Sequence, residues 1–182
     1  LIPQGDRMTA CISSQVGCSL DCSFCATAKL ARKRNLFFDE IYDQADLISR
    51  NSQEHYNRPI SNIVFMGMGE PLLNYSQVMK AIDRITAEDG LGMSPRRLTL
   101  STAGIAKMIR KLGEEKVKFN LALSLHAPTD LKRSKIMSIN ETNSIEALKE
   151  ALKYFYEQTG SRVTYEYVML HGENDTMEDA KE

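Results

Sequence analysis

The strongest constraint on the fold is a rhythm: apolar runs break off at polar turns, and helical patterns follow. "NIVFMGMGEP", residues 62–71, is a continuous apolar run ending in glycines and a proline. That is the pattern of a buried strand meeting a tight turn. "RRLTLST" (96–102), "KFNLALSLHAP" (118–128) and "RVTYEYVML" (162–170) read as further strands, and Thr9–Ser14 as a short first one. Helical stripes lie between them. Ile41, Ala45 and Ile48 follow an N-cap at Asp39, and Val78, Ile82 and Ile85 follow Ser76. Ile105, Ile109 and Leu112 follow Gly104, while Ile145, Leu148, Leu152 and Phe155 follow Ser144. Strand and helix alternate about five times, which implies right-handed βαβ units and a parallel sheet or barrel. Five units fall short of a closed barrel of eight. The expected fold is therefore α/β, an open or partial β/α barrel.

In such folds reactive groups gather at the C-terminal ends of the strands. Here those ends read "MGMGEP", "LST" and "SLHAP", and a cysteine-rich loop follows the first strand. Four sets of candidate groups would then share one rim. At 182 residues, 42% hydrophobic and 26% charged, the chain can bury one substantial core or form part of a larger domain. No apolar run is long enough to span a bilayer, and the start lacks the apolar region of a leader, so a cytoplasmic location without membrane contact is expected. The first residue is not Met, and "NDTMEDAKE" reads as a helix cut short. The expectation is a single core domain, 1–182, truncated at both ends. A net charge of −1 gives no global attraction to nucleic acid. One local exception is "AKLARKRN", with Lys29, Arg32, Lys33 and Arg34, either a solvated turn or a phosphate contact.

All four cysteines fall in "CISSQVGCSLDCSFC". Cys18, Cys22 and Cys25 are spaced C-x3-C-x2-C, and Cys11 stands upstream. Two disulfides would be too local to staple a chain of this length, and a Cys22–Cys25 redox pair leaves the other two without roles. Metal binding accounts for more of the sulfurs. Three thiolates can hold three irons of a 4Fe-4S cluster and leave the fourth iron open to a small molecule. Structural zinc would need a fourth ligand, and Cys11, His55, His126 and His171 are available.

The triplet, with Phe24 just before its last cysteine, resembles the signature loop of the radical S-adenosylmethionine (SAM) superfamily. That resemblance implies an iron–sulfur cluster whose open iron binds SAM, and reductive cleavage of SAM to a 5′-deoxyadenosyl radical. "CISSQVGCSLDCSFCAT", "RNL", "NIVFMGMGEPLLN", "RRLTLST", "ALSLHAP", "INE" and "EYVML" occur in that order. Together they resemble the RlmN family, whose members methylate adenine in 23S rRNA and tRNA. "GMGEP" and "SLHAP" favour carbon 2 of the adenine over the carbon-8 specificity of the related Cfr family.

The resemblance implies Cys18, Cys22 and Cys25 as cluster ligands. It implies Gly69, Glu70, Ser101, Ser124, Leu125 and His126 as SAM contacts, and Cys11 as one of two catalytic cysteines. The other, methyl-carrying cysteine lies near the family's C-terminus, and no cysteine follows Cys25 here. Cys11 would resolve a covalent protein–RNA intermediate by forming a disulfide with that partner. A flavodoxin-like electron donor is implied as well. A Cfr-like enzyme and a zinc-stabilised RNA-binding module are the rival readings.

Overall fold

The computed structural model describes residues 1–182. β1 (Ile2–Gln4) and β2 (Arg7–Cys11) form an antiparallel hairpin at one edge of the main sheet. β3 (Gln15–Val16) and β4 (Arg34–Asn35) pair separately and tie the two ends of the cysteine loop together. The main sheet continues through β5 (Asn62–Phe65), β6 (Leu98–Thr102), β7 (Asn120–Ser124) and β8 (Val163–Glu166). From β2 onward each strand is parallel to the one before it.

Parallel neighbours cannot be joined by a hairpin and need a crossover. α1 (Phe38–Tyr56), α2 (Tyr75–Thr86) and α3 (Ala106–Glu114) supply the first three crossovers. α4 (Asp130–Ile136) and α5 (Ile145–Thr159) share the last. The six-stranded order β1-β2-β5-β6-β7-β8 never reverses. Crossovers of one hand therefore lie on one face of the sheet and leave the other face free. This is the partial β/α barrel that the alternation predicts, with five parallel strands.

Period-two alternation assigns side chains to those two faces. Leu98, Leu100 and Thr102 are buried toward the helices, while Thr99 and Ser101 point to the interior face. Backbone register places Cys11, Val64, Thr99 and Asn120 in one row across that interior face. Ser101, Ser124 and Glu166 lie further along it, toward the C-terminal rim. The helix-side core joins Ile63, Phe65, Leu98, Leu100, Leu121 and Leu123 to Ile41, Ile82, Ile85, Ile109, Leu148 and Phe155. Each such side chain contributes about 1.5–3 kcal/mol by leaving water.

Several local expectations need correction. α1 is not capped by Asp39. It starts two residues earlier, after Phe37, whose N–H donates to Glu40 Oε2 at 2.8 Å. Ser76 does not cap α2 either; the chain enters that helix from a 3-10 turn, with Asn74 at the N-cap. Asn74 instead spends its side chain on the carbonyls of Ser14 and Leu36, both at 2.8 Å. α3 begins at Ala106, with Ile105 at its cap. Ser144 does cap α5, accepting from the Ala147 N–H at 3.3 Å. The strands are shorter than the apolar runs, because pairing stops where each chain turns away at the rim. β1 and the seven-residue α4 carry too little periodicity to be read from sequence.

Candidate active site

The C-terminal ends of the strands enclose a cavity of about 250 Å³. Cys18, Cys22, Phe24 and Cys25 form one wall. Phe65, Met66, Gly67, Gly69 and Glu70 come from the end of β5 and its turn, and Ser101, Thr102 and Ala103 from β6. Ser124 of β7, Glu166 of β8 and Met137 complete it. Three cysteines, a glycine turn and two serines, spread over more than a hundred positions of sequence, thus meet around one space.

The cysteine loop is held from several sides. The Cys18 N–H donates to Leu30 O at 3.3 Å and the Lys33 N–H to Val16 O at 2.8 Å, closing the flap between β3 and β4. Gly17, at φ +77°, allows that closure, since a Cβ there would lie 2.4 Å from Ala31 O. The Ser23 N–H donates to Ile136 O at 2.9 Å, and Asp21 accepts from the Ser138 hydroxyl. Cys22 and Phe24 pack on the small cluster of Ala127, Ile136 and Met137. The basic run lies on the same flap, but not all of its charge is free. Arg34 pairs with Glu40 at 2.7 Å, and Arg32 donates to Asn35 Oδ1. Lys29 and Lys33 make no ion pair.

Electrostatically the loop resists ionisation of Cys18 and Cys22. Desolvation, and then the neighbouring Cys25 and Cys18, push the Cys22 thiol up to about 11. Desolvation also raises Cys18, with Glu70 and Cys25 adding to it. Crowded, half-buried thiols are costly as bare anions, whereas metal bound to them takes up that charge. Cys18, Cys22 and Cys25 line the cavity with no histidine or fourth cysteine beside them, one ligand short of a structural zinc site. Three thiolates suffice for a cluster that keeps one iron open. The donor set therefore fits a cluster.

Gly69 and Glu70 both line the cavity. Gly69 sits at φ +96°, with its Cα side packed on Gln15. Gln15 Oε1 accepts from the Glu70 N–H at 3.0 Å. The Glu70 carboxylate is buried and turned back, accepting from Leu72 N–H at 3.0 Å and Ala103 N–H at 2.7 Å. Burial pushes this carboxyl up, against the N–H groups of Ala103 and Leu72 that favour its charge. Glu70 thus braces the β6 turn as well as lining the cavity.

Three of the residues singled out in the sequence stand behind the wall rather than in it. Leu125 packs on the main core, and its N–H donates to Glu166 O at 3.0 Å. His126 is buried at φ +58°, with its ring edge-on to Phe24 and the centroids 4.6 Å apart. Its Nδ1 accepts from the Val168 N–H at 3.1 Å. Desolvation, and then the charge of Arg133, lower its pKa to about 4, so it is neutral at pH 7. Cys11 lies on the interior face but one rung below the cavity, with its thiol against the Met66 backbone. Desolvation raises that thiol's pKa too.

Sequence reasoning missed Gln15, Arg133, Asn140 and Asn174, all buried and all hydrogen-bonded to the frame of the site. Asn140 lies inside the quoted "INE", yet nothing in a lone polar residue reveals that it will be buried.

A cysteine loop at the opening of a partial β/α barrel, facing glycine and serine strand ends, defines the core of an enzyme that works through a bound cofactor. The radical SAM superfamily model matches residues 12–182, and the chain belongs to that superfamily, whose members use a 4Fe-4S cluster and SAM. Over all 182 residues it is 64% identical to a probable dual-specificity RNA methyltransferase RlmN of Cytophaga hutchinsonii, covering 50% of that protein. It is 46% identical to the dual-specificity RNA methyltransferase RlmN of Anaeromyxobacter sp., with 98% of this chain and 48% of that one aligned. A radical SAM methyltransferase from Sphaerobacter thermophilus superposes with a TM-score of 0.95 at 40% identity, over 99% of this chain and 52% of that one. The chain spans about half the length of the curated relatives it matches. No helix is long and apolar enough to cross a membrane.

Proposed function

We propose that the chain is the catalytic core of a cytoplasmic radical SAM methyltransferase acting on carbon 2 of adenine in 23S rRNA and tRNA. The observation that carries this reading is the single cavity walled by Cys18, Cys22 and Cys25 on one side and by Gly69, Ser101 and Ser124 on the other. The three thiols would hold the cluster, and the strand-end groups would hold SAM beside it. When bound, cluster and SAM supply a carbon-centred radical able to take a hydrogen atom that no side-chain base removes.

The chain's own residues do the rest. The Gly69 turn, at a positive φ that glycine adopts without strain and packed close on Gln15, sets its backbone at the cavity wall. Ser101 and Ser124 offer hydroxyls from adjacent strands, and Phe24, Met66 and Met137 keep the wall apolar and exclude water. Neutral His126 buttresses Phe24 from behind. Cys11, outside the cavity but on the same sheet face, is suited to thiol exchange with a second cysteine once the RNA adduct has formed. Lys29 and Lys33, the uncommitted charges of the flap, would meet RNA phosphate. A flavodoxin-like protein would deliver the electron.

Anaerobic reconstitution of the full-length protein with iron and sulfide tests the cluster. We expect a brown protein that loses its colour when Cys18, Cys22 or Cys25 becomes Ala and keeps it in Cys11→Ala. A colourless protein with one tight zinc sinks the reading. Cys11→Ala should also accumulate a covalent RNA adduct, and mapping the methylated carbon in wild-type product separates carbon 2 from carbon 8.

A further inference from the structure

Arg133 of α4 is fully buried and has no part in the reading above. Its Nε donates to Leu125 O at 3.0 Å, and its Nη2 to Ser124 O at 3.0 Å and Ala103 O at 2.6 Å. Nη1 donates to Asn140 Oδ1 at 2.8 Å. Every acceptor is neutral, and no carboxylate lies within ion-pair distance. Asp130 makes no ion pair with the guanidinium; it stands behind Asn140, whose Nδ2 donates to Asp130 Oδ1 at 3.0 Å, and acts on Arg133 through space. Glu70 and Arg133 both hold Ala103, Glu70 accepting from its N–H and Arg133 donating to its C=O. His126 faces Arg133 as a neutral ring. The cysteine loop docks on the same helix one turn further on: Ser23 N–H donates to Ile136 O at 2.9 Å, and Cys22 packs on the cluster of Ile136 and Met137.

A buried guanidinium is costly unless an anion compensates it, and hydrogen bonds to carbonyls satisfy its donors without cancelling its charge. A 4Fe-4S core on three thiolates is an anion, and it gains one more negative charge on reduction. We propose that Arg133 is a positioning residue with two separable jobs: its fork pins the ends of β6 and β7 that hold SAM, and its charge is the buried counter-charge to the cluster. This rests on the cluster reading of the cysteine loop. The two jobs separate chemically. Lysine keeps the charge, but a point donor cannot span the carbonyls of Ala103, Ser124 and Leu125 as a planar fork does. Glutamine loses the charge.

The test uses full-length reconstituted protein. The cluster midpoint is read by electron paramagnetic resonance during dithionite titration, and SAM affinity by calorimetry. In Arg133→Gln the reduced-to-oxidised ratio at fixed potential should fall about tenfold, equivalent to 59 mV for one electron. Arg133→Lys should keep the wild-type midpoint yet bind SAM about tenfold more weakly, having lost the fork. A loaded Arg133→Gln protein with the wild-type midpoint, or an Arg133→Lys protein shifted as far as it, overturns the counter-charge. Wild-type SAM affinity in Arg133→Lys overturns the pin. Should Arg133→Gln fail to fold, the double variant Asn140→Asp, Asp130→Asn moves the carboxylate from behind Asn140 onto Nη1 and keeps an amide opposite it, and an unchanged midpoint there overturns the counter-charge equally. A wild-type protein that takes up no cluster refutes the cysteine-loop reading instead, and is told apart by its colour before any titration.

Discussion

Gly69→Ala tests how tightly the strand-end turn is built. Gly69 has φ +96°, outside the small left-handed region that other residues tolerate. Holding a residue with a Cβ in such a conformation costs about 1–3 kcal/mol. The new methyl would also lie 2.5 Å from Gln15 Cβ and 2.6 Å from its Cγ. These are the base of a side chain, not its flexible end, and the tip of Gln15 is already committed to Glu70 N–H and Asn35 Oδ1. Overpacking of this kind adds about 1–3 kcal/mol. The expected loss is therefore about 2–6 kcal/mol, which lowers Tm by about 4–24 °C for a domain of this size. Urea denaturation of the cluster-free protein measures it, with the midpoint shifting at constant m. Gln15→Gly in the Gly69→Ala background separates the two causes. It removes the clash but not the φ strain, so the double variant should be about 1–3 kcal/mol more stable than the sum of the singles predicts. A Gly69→Ala protein within about 0.5 kcal/mol of wild type, as expected of an unremarkable surface change, or strict additivity with Gln15→Gly, would refute the reasoning.

Asn174→Ala should cost about 3 kcal/mol, because it strips hydrogen bonds from the His126 and Val168 carbonyls and the Leu170 N–H, all at 2.6–2.7 Å. Thermal melting gives the loss, and limited proteolysis should cut first after β8. Phe24→Ala removes the ring packed on His126, worth about 0.5–1.5 kcal/mol beyond its buried area; the cluster should load but be stripped faster by a chelator, and unchanged loss rates would count against the buttress. His126 has a folded pKa depressed from 6.5 to about 4. Its contribution is thus fully present above about 6.5 and lost as pH falls from there toward 4. The urea midpoint of wild type should drop over that window and that of His126→Asn should drop less. Imidazole nitrogen NMR at pH 7 should find Nε2 protonated and Nδ1 accepting.

The alternation of strands and helices, and with it the partial barrel, was legible because each apolar run ends in a turn that stops it. Ser144 was legible as a cap, since its hydroxyl serves an N–H three residues away. Asp39 and Ser76 misled, because Glu40 and the entry through Asn74 satisfy the same helix ends from other positions. The cysteine triplet was visible as a chemical unit through spacing alone. Four strand ends were visible as candidates, since a parallel sheet brings its C-terminal edges together whatever the details.

The sequence by itself determined which groups could do chemistry, because motif spacing and strand-end composition are local properties of the chain. Only the tertiary structure decided which of them face the cavity and which hold it up. It set Cys11 one rung below the rim, turned the Glu70 carboxylate onto Ala103, and put His126 behind Phe24. It also buried Arg133 against three carbonyls from β6 and β7. Those placements depend on register between strands and on the satisfaction of buried polar atoms, quantities that exist only when segments tens of residues apart are brought into contact.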